Sequence, residues 1–323
     1  TVHKQQNSSR PEEIAPTIRP VYAAGMPEGV YTEINPRLEL LSGVLAHTSW
    51  IKTRGPRGIG NKYYRELKDF FAPYKNHRAV QIAEKLSGMG FTYDAPPAFI
   101  LSLGELPYLK QNMEYSEYLI GRARSKNNLE EFRLALVELA KESNFTKFFE
   151  EHRSDLQHKM DTTVAGFDAE KVILWMKNFY GWTADEFHLT MAPAMFPQGG
   201  YATRFTRPDG KFVVYQVVRE NSISNNEPEF PMGKALERLT LHEWGHSFVN
   251  PSLESNADLI DKLDIKKLYL PVDVAMKKQA YGNVGTFLNE QVLRAAVAVA
   301  VKELYGDGEY EKELKMQKNN SFY

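Results

Sequence analysis

Leu241-His242-Glu243-Trp244-Gly245-His246-Ser247-Phe248-Val249-Asn250-Pro251 is the stretch on which the rest of the chain turns. Two histidines four residues apart on a helix lie one above the other, because four residues nearly complete a turn of 3.6. Both imidazoles can then reach one ion. Glu243 projects about 100° further round the helix, beside the ion and not at it. Two nitrogen ligands and an adjacent carboxylate are the parts of a zinc hydrolase, in which the carboxylate takes a proton from water activated by the metal. An ordinary helix with two surface histidines is the competing reading. Against it, Leu241, Trp244, Gly245, Phe248 and Val249 surround the motif with apolar or small residues, and burying His, Glu and His without partners is costly. Asn250-Pro251 predicts the helix end, since proline disfavours helical geometry in the residue before it.

Composition narrows the partners. The chain has 323 residues, 25% charged and 42% hydrophobic, which is ordinary for a globular protein able to bury a large core. A net charge of −1 gives no reason to expect nucleic acid or an anionic membrane surface as the main partner. No apolar run free of charge approaches the length of a bilayer span, so no membrane span is expected. Cysteine is absent, which leaves His, Asp and Glu as the available metal ligands. A start at Thr1 suggests a processed form, with any export signal upstream.

Outward from the motif, the chain divides by pattern. Residues 1–33, polar and rich in Pro and Gly, predict an extended N-terminal arm or a strand laid against the body. Residues 34–181 carry helical periodicity: Leu38, Leu40, Leu41, Val44 and Leu45 after Asn35-Pro36, then helices over 62–73, 76–88, 128–143, 145–160 and 168–180. His47, His77, His152 and His158 belong to this region and read as structural or solvent-facing. Residues 182–323 form the catalytic region, expected to make one compact unit with 34–181. Within it, 187–191, 201–205 and 211–218 read as strands, with Arg207-Pro208-Asp209-Gly210 as a hairpin turn. They predict a small antiparallel sheet ahead of a metal helix over 232–249. Gly199-Gly200 suggests backbone that needs room, and an edge strand there could pair with an extended substrate. The turn at Tyr93-Asp94-Ala95-Pro96 could approach the site.

Catalytic zinc usually takes three protein ligands plus water. Position 252 is serine and position 249 is valine, which excludes the large peptidase class with a third histidine six residues on. Downstream carboxylates include Glu254, Asp258, Asp261, Asp264, Asp273, Glu290 and Glu303. Most lie in polar stretches. Glu290 opens a segment, 285–304, whose almost continuous apolar run marks a buried helix. By itself Glu290 with Arg294 could be a simple i, i+4 ion pair.

Asn289-Glu290 opening such a helix resembles the second metal helix of the gluzincins, and Tyr281-x-Asn283 ahead of it has the spacing of thermolysin-like enzymes. The resemblance implies Glu290 as third ligand and Tyr281 as donor to the oxyanion. Arg294 departs from that pattern, which has an aspartate four residues after the ligand to orient the first histidine. From Asn35 onward the chain also resembles a bacterial family of gluzincin metallopeptidases known as a domain of unknown function and found mainly in exported proteins. The shared segments include Asn35 to Leu41, Asn76 to Val80, Phe179-Tyr180-Gly181, Gly199-Gly200-Tyr201, His242 to Pro251, and Asn289-Glu290 with Arg294-Ala295.

Together these readings predict an α+β, mainly α protein: a zincin-like catalytic part with a helical N-terminal region. The expected function is a zinc-dependent metallopeptidase acting on peptide or protein substrates, in an extracytoplasmic bacterial location. His242, His246 and Glu290 would bind Zn2+, Glu243 would be the general base, and Tyr281 the oxyanion donor. Tyr201, Arg204 and Arg294 are candidates for substrate contact. The alternatives are a non-catalytic zinc-containing scaffold that binds peptide or glycan, whose site a fourth ligand such as Glu254 or Asp258 would close, and a zinc hydrolase of a non-peptide amide or ester. The residues from Gly306 onward read as a solvated helix and end.

Overall fold

The protein is described here by a computed structural model covering residues 16–54, 60–195 and 200–323. It is α+β and mainly helical, with one five-stranded sheet of order β1-β2-β3-β5-β4. The strands are β1 (Val21–Tyr22), β2 (Val30–Ile34), β3 (Glu186–Met191), β4 (Tyr201–Thr206) and β5 (Phe212–Val218).

The sheet is mixed and not antiparallel as expected from sequence. β1 and β4 run antiparallel to their neighbours, but β2, β3 and β5 are mutually parallel. The reason lies in connectivity. Parallel neighbours need a long crossover, and the whole helical region supplies it between β2 and β3. Local alternation signals a strand but carries no information about its partner. From Val21 on, the segment predicted as an arm or strand is therefore part of the sheet.

The hairpin turn forms as its sequence predicts. Arg207 N donates to Lys211 O at 2.9 Å, and Gly210 takes φ +83°. The helices also form close to their predicted positions, for example Lys62–Phe71, Arg78–Gly88, Lys126–Glu142 and Ala169–Tyr180. Their caps explain several histidine and polar residues. His77 Nδ1 accepts from Ala79 N at 3.0 Å, and Asp168 accepts from Lys171 N at 2.9 Å.

The helix that carries the histidine pair runs over Gly233–Ser255, beyond its predicted end. Pro251 sits inside it. A proline removes one backbone bond but need not stop a helix whose neighbours hold the turn. Here Ser252 Oγ donates to Phe248 O at 2.8 Å, and Asn256 Nδ2 donates to Ser252 O at 2.8 Å.

Trp244 and Phe248, one turn apart, anchor this helix on the sheet. The Trp244 ring lies 4.8 Å from Phe187, and its Nε1 donates to the backbone oxygen of His188 at 3.1 Å. Phe248 packs between Tyr180 and Trp182, at 5.0 and 4.4 Å. Both side chains are fully buried. Each removes enough apolar surface to be worth about 1.5–3 kcal/mol or more, which fixes the face the helix turns to the sheet. His242 and His246 consequently face the other way, and Glu243, about 100° round from Trp244, lies toward the sheet edge at Gly200.

A second long helix, Val284–Tyr305, lies against the metal helix. It is long and apolar enough to cross a membrane by length and composition, but Phe287, Leu293, Val297 and Val301 on it are buried against the rest of the chain. One apolar core joins residues from Ile18 to Val301. A smaller cluster of Tyr269, Met276, Phe287 and Phe322 lies beside it. The closing helix, Asp307–Asn319, forms as expected and is largely exposed, but Glu313 and Gln317 on one face of it and Phe322 beyond it are buried.

Candidate metal centre

Two close-packed helices make the centre. Gly245 lets them approach, since a Cβ there would fall 2.5 Å from Leu293 Cδ1 on the second helix. That approach brings Glu290 opposite the histidine pair. His242 Nε2 lies 3.3 Å from Glu290 Oε1, and His246 Nε2 lies 3.6 Å from Glu290 Oε2. Among the described residues, His242, His246 and Glu290 form the group whose donor atoms could hold a metal ion, all within 4.8 Å of one another.

The protonation states suit ligands. Burial pushes the His242 imidazole down to about 3 and also lowers that of His246, so both rings are neutral. Burial by itself would raise the Glu290 carboxyl, but His242, Arg294 and His246 outweigh it and hold the group below its ordinary range. Glu243 behaves oppositely. Burial, reinforced by the charge of Glu290, raises it to about 8. Two carboxylates in one site thus differ in proton affinity: Arg294 bonds Glu290 directly, whereas its charge only partly offsets burial and the Glu290 charge at Glu243.

The surrounding side chains hold these groups in place. Arg294 Nε donates to Glu290 Oε1 at 2.7 Å, and its Nη1 donates to Gln317 Oε1 at 2.8 Å. Phe322 lies under the guanidinium at 4.2 Å. Arg294 therefore bonds Glu290 and not a histidine. Asn250 Oδ1 stands 3.4 Å from His246 Nδ1. Gln317 in turn bonds Glu313, which pairs with Arg238 at 3.1 Å.

The centre opens into a cleft of about 650 Å³. Tyr93 and Asp94 form part of one wall, so the turn flagged in the sequence does reach the site. Gly200, Tyr201 and Ala202 line it from the edge of the sheet, and Gln279, Ala280 and Tyr281 from the connection between the two long helices. Gly200 needs its missing side chain: a Cβ there would come within 2.5 Å of Glu243 Oε1. Gly199 lies outside the described residues. The Tyr281 hydroxyl faces Glu290 and Arg294, and burial followed by the Glu290 charge pushes it up to about 12, so it stays protonated.

Of the residues expected to meet substrate, Tyr201 and Arg294 line the cleft and Arg204 does not. Arg204 points along the sheet edge to Glu254, 3.8 Å away. Sequence reading passed over Arg238, Asn250, Glu313 and Gln317. The first two carry a usable signal, standing four residues before His242 and four after His246 on the same helical face. Glu313 and Gln317 carry none, because only folding brings the closing helix to the site.

The chain belongs to a family defined as a domain of unknown function (DUF4932), whose model matches residues 31–323. No curated protein and no solved structure matches it.

Proposed function

We propose that the protein is a zinc-dependent metallopeptidase with His242, His246 and Glu290 as ligands and Glu243 as general base. The observation that carries this reading is the donor spacing. Bonds of about 2.0–2.1 Å in tetrahedral geometry place ligand atoms roughly 3.3–3.4 Å apart; His242 Nε2 and His246 Nε2 lie 3.3 and 3.6 Å from the two separate oxygens of Glu290, with one donor atom of each residue within 4.8 Å of the others. Two neutral imidazoles and one carboxylate are also a donor set that zinc takes in hydrolases, with a position left for water.

Zinc bound there supplies Lewis acidity to water and to a substrate carbonyl. The chain's own residues do the rest. Glu243, whose carboxyl a cation bound beside it would bring to the carboxylate form, accepts the proton of the attacking water and delivers it to the leaving amine. Arg294 and Gln317 keep Glu290 oriented. Tyr281, a protonated phenol on the cleft wall, donates to the carbonyl oxygen as negative charge develops there. β4 is the outer strand of the sheet, and its Gly200–Ala202 end borders the cleft. An extended peptide adding to that edge by main-chain pairing would pass Glu243.

The scaffold reading calls for a closed site. Glu254 is turned toward Arg204, and neither it nor Asp258 belongs to the donor group, which favours catalysis. The deciding experiment incubates zinc-loaded protein with a denatured protein substrate and follows peptide release. Glu243→Gln is expected to stop cleavage while zinc stays bound, and cleavage that survives this change rejects Glu243 as base.

A further inference from the structure

β4 borders more than the metal centre. Tyr201 and Ala202 at its start, with Gly200 before them, line the cleft, while Arg204, Phe205 and Thr206 at its other end line a second opening of about 310 Å³. Side chains alternate between the two faces of a strand, so an opening that meets three consecutive residues reaches the strand at its edge. Both openings do. Among the described residues no strand pairs with β4 on the side away from β5, and the backbone of residues 203–206 bonds only within the β4–β5 pair.

The second opening leads into a cavity of about 550 Å³, with which it shares Met113, Phe205, Arg207 and Pro208. Leu101, Leu103, Met113, Phe205, Val213 and Tyr215 give that cavity an apolar lining. Of the charged residues around it, Arg37 bonds Asn35 Oδ1 at 3.1 Å and Leu101 O at 3.2 Å, and Arg207 bonds both oxygens of Glu186 at 2.8 and 2.9 Å. Glu105 and Lys110 are exposed. Phe205 pairs with Val213, and Thr203 with Tyr215, so the cavity lies on the face of the sheet to which Phe205 points. A second element spans the same two sites: the short helix Ala95–Leu101 follows Asp94 at the cleft, packs against β4, and ends at Leu101 in the cavity.

Gly200 lies against Glu243, and Phe205 stands five residues further on, about 16 Å at the rise of a strand. Directly opposite residues in a strand pair share a face. A chain paired with the edge of β4 therefore turns the side chain opposite Phe205 toward the cavity. We propose that the cavity is a specificity seat for a bulky apolar side chain, leucine or phenylalanine, about five residues from the bond beside Glu243 in an extended polypeptide. That this polypeptide is a substrate rests on the peptidase reading; the seat does not.

Fluorescein-labelled peptides of serine, threonine and glutamine, about twelve residues long so as to span the distance, are titrated against zinc-loaded Glu243→Gln protein by anisotropy. One set carries a single phenylalanine third from either end, and the other has serine there. The phenylalanine is expected to tighten binding about tenfold or more, through burial of its ring. Met113→Asp, at the half-buried junction of the two openings, and Phe205→Ala should each remove most of that gain, with thermal midpoints near that of the parent. With the unsubstituted chain, fragments read by mass spectrometry should end about five residues from the phenylalanine. Binding that phenylalanine does not improve overturns the proposal, and so does a gain that both variants leave intact. Cleavage directly beside the phenylalanine seats it at the metal and overturns it equally. A gain that the variants remove, with no cleavage by the unsubstituted chain, upholds the seat and rejects the peptidase reading alone.

Discussion

Gly200→Ala separates the placement of the general base from the stability of the fold. The added Cβ would sit 2.5 Å from Glu243 Oε1, 2.6 Å from Cδ and 2.8 Å from Cγ. Comfortable contacts begin near ~3.5 Å, so the carboxylate must withdraw by roughly 1 Å. A rotatable side chain can make that move, and the cost to stability should be at most about 1–2 kcal/mol. Catalysis is far less tolerant, because displacing a reacting group by about 1 Å can cost on the order of 10²-fold. The expected result is a kcat about 10²-fold lower, with zinc affinity near that of the unchanged chain. Peptide release from casein, read by mass spectrometry, gives the rate; competition with a chromophoric chelator gives the zinc affinity. A Gly200→Ala protein that cleaves at the original rate would refute the placement of Glu243 as base.

Three further outcomes follow from the same geometry. Gly245→Ala puts a Cβ 2.5 Å from Leu293 Cδ1 and forces apart the helices that carry the ligands; it should cost about 1–3 kcal/mol in denaturant unfolding and weaken zinc binding as well. Asn250→Ala removes the polar neighbour 3.4 Å from His246 Nδ1 and should weaken zinc affinity about tenfold, the low end for a partner of a metal-bound histidine, as chelator competition will read. Glu220 is 3% exposed, and burial raises its carboxyl from 4.5 to about 7. Its contribution to stability is therefore full below about pH 4.5 and lost as pH rises through about 7. Glu220→Gln should raise the thermal midpoint at pH 8, by an amount corresponding to on the order of 3 kcal/mol, and leave it nearly unchanged at pH 4. Equal effects at both pH values would contradict the assignment.

Some features of this protein were visible in the chain because they depend only on near neighbours. Helical period and the Arg207–Gly210 turn act within a few residues, and each formed where the pattern placed it. The histidine pair with Glu243 between them is local in the same sense. The end of the metal helix was misjudged because proline weakens a helix locally, while Ser252 and Asn256 sustain it through side-chain bonds. The closing helix looked solvated because its charged residues are dense, yet Glu313 and Gln317 find partners in Arg238 and Arg294 on other helices.

By itself the sequence determined that two imidazoles share one helical face and that a mainly helical α+β chain would surround them, since backbone geometry imposes those relations at short range. Only the tertiary structure decided that Glu290 meets the pair, that Arg294 serves that carboxylate, that the central strands run parallel, and that Gly200 lies against Glu243. Those facts depend on how apolar faces such as Trp244–Phe248 bury against the sheet. Such burial is non-directional and sums over the whole core, so no short window of residues contains it.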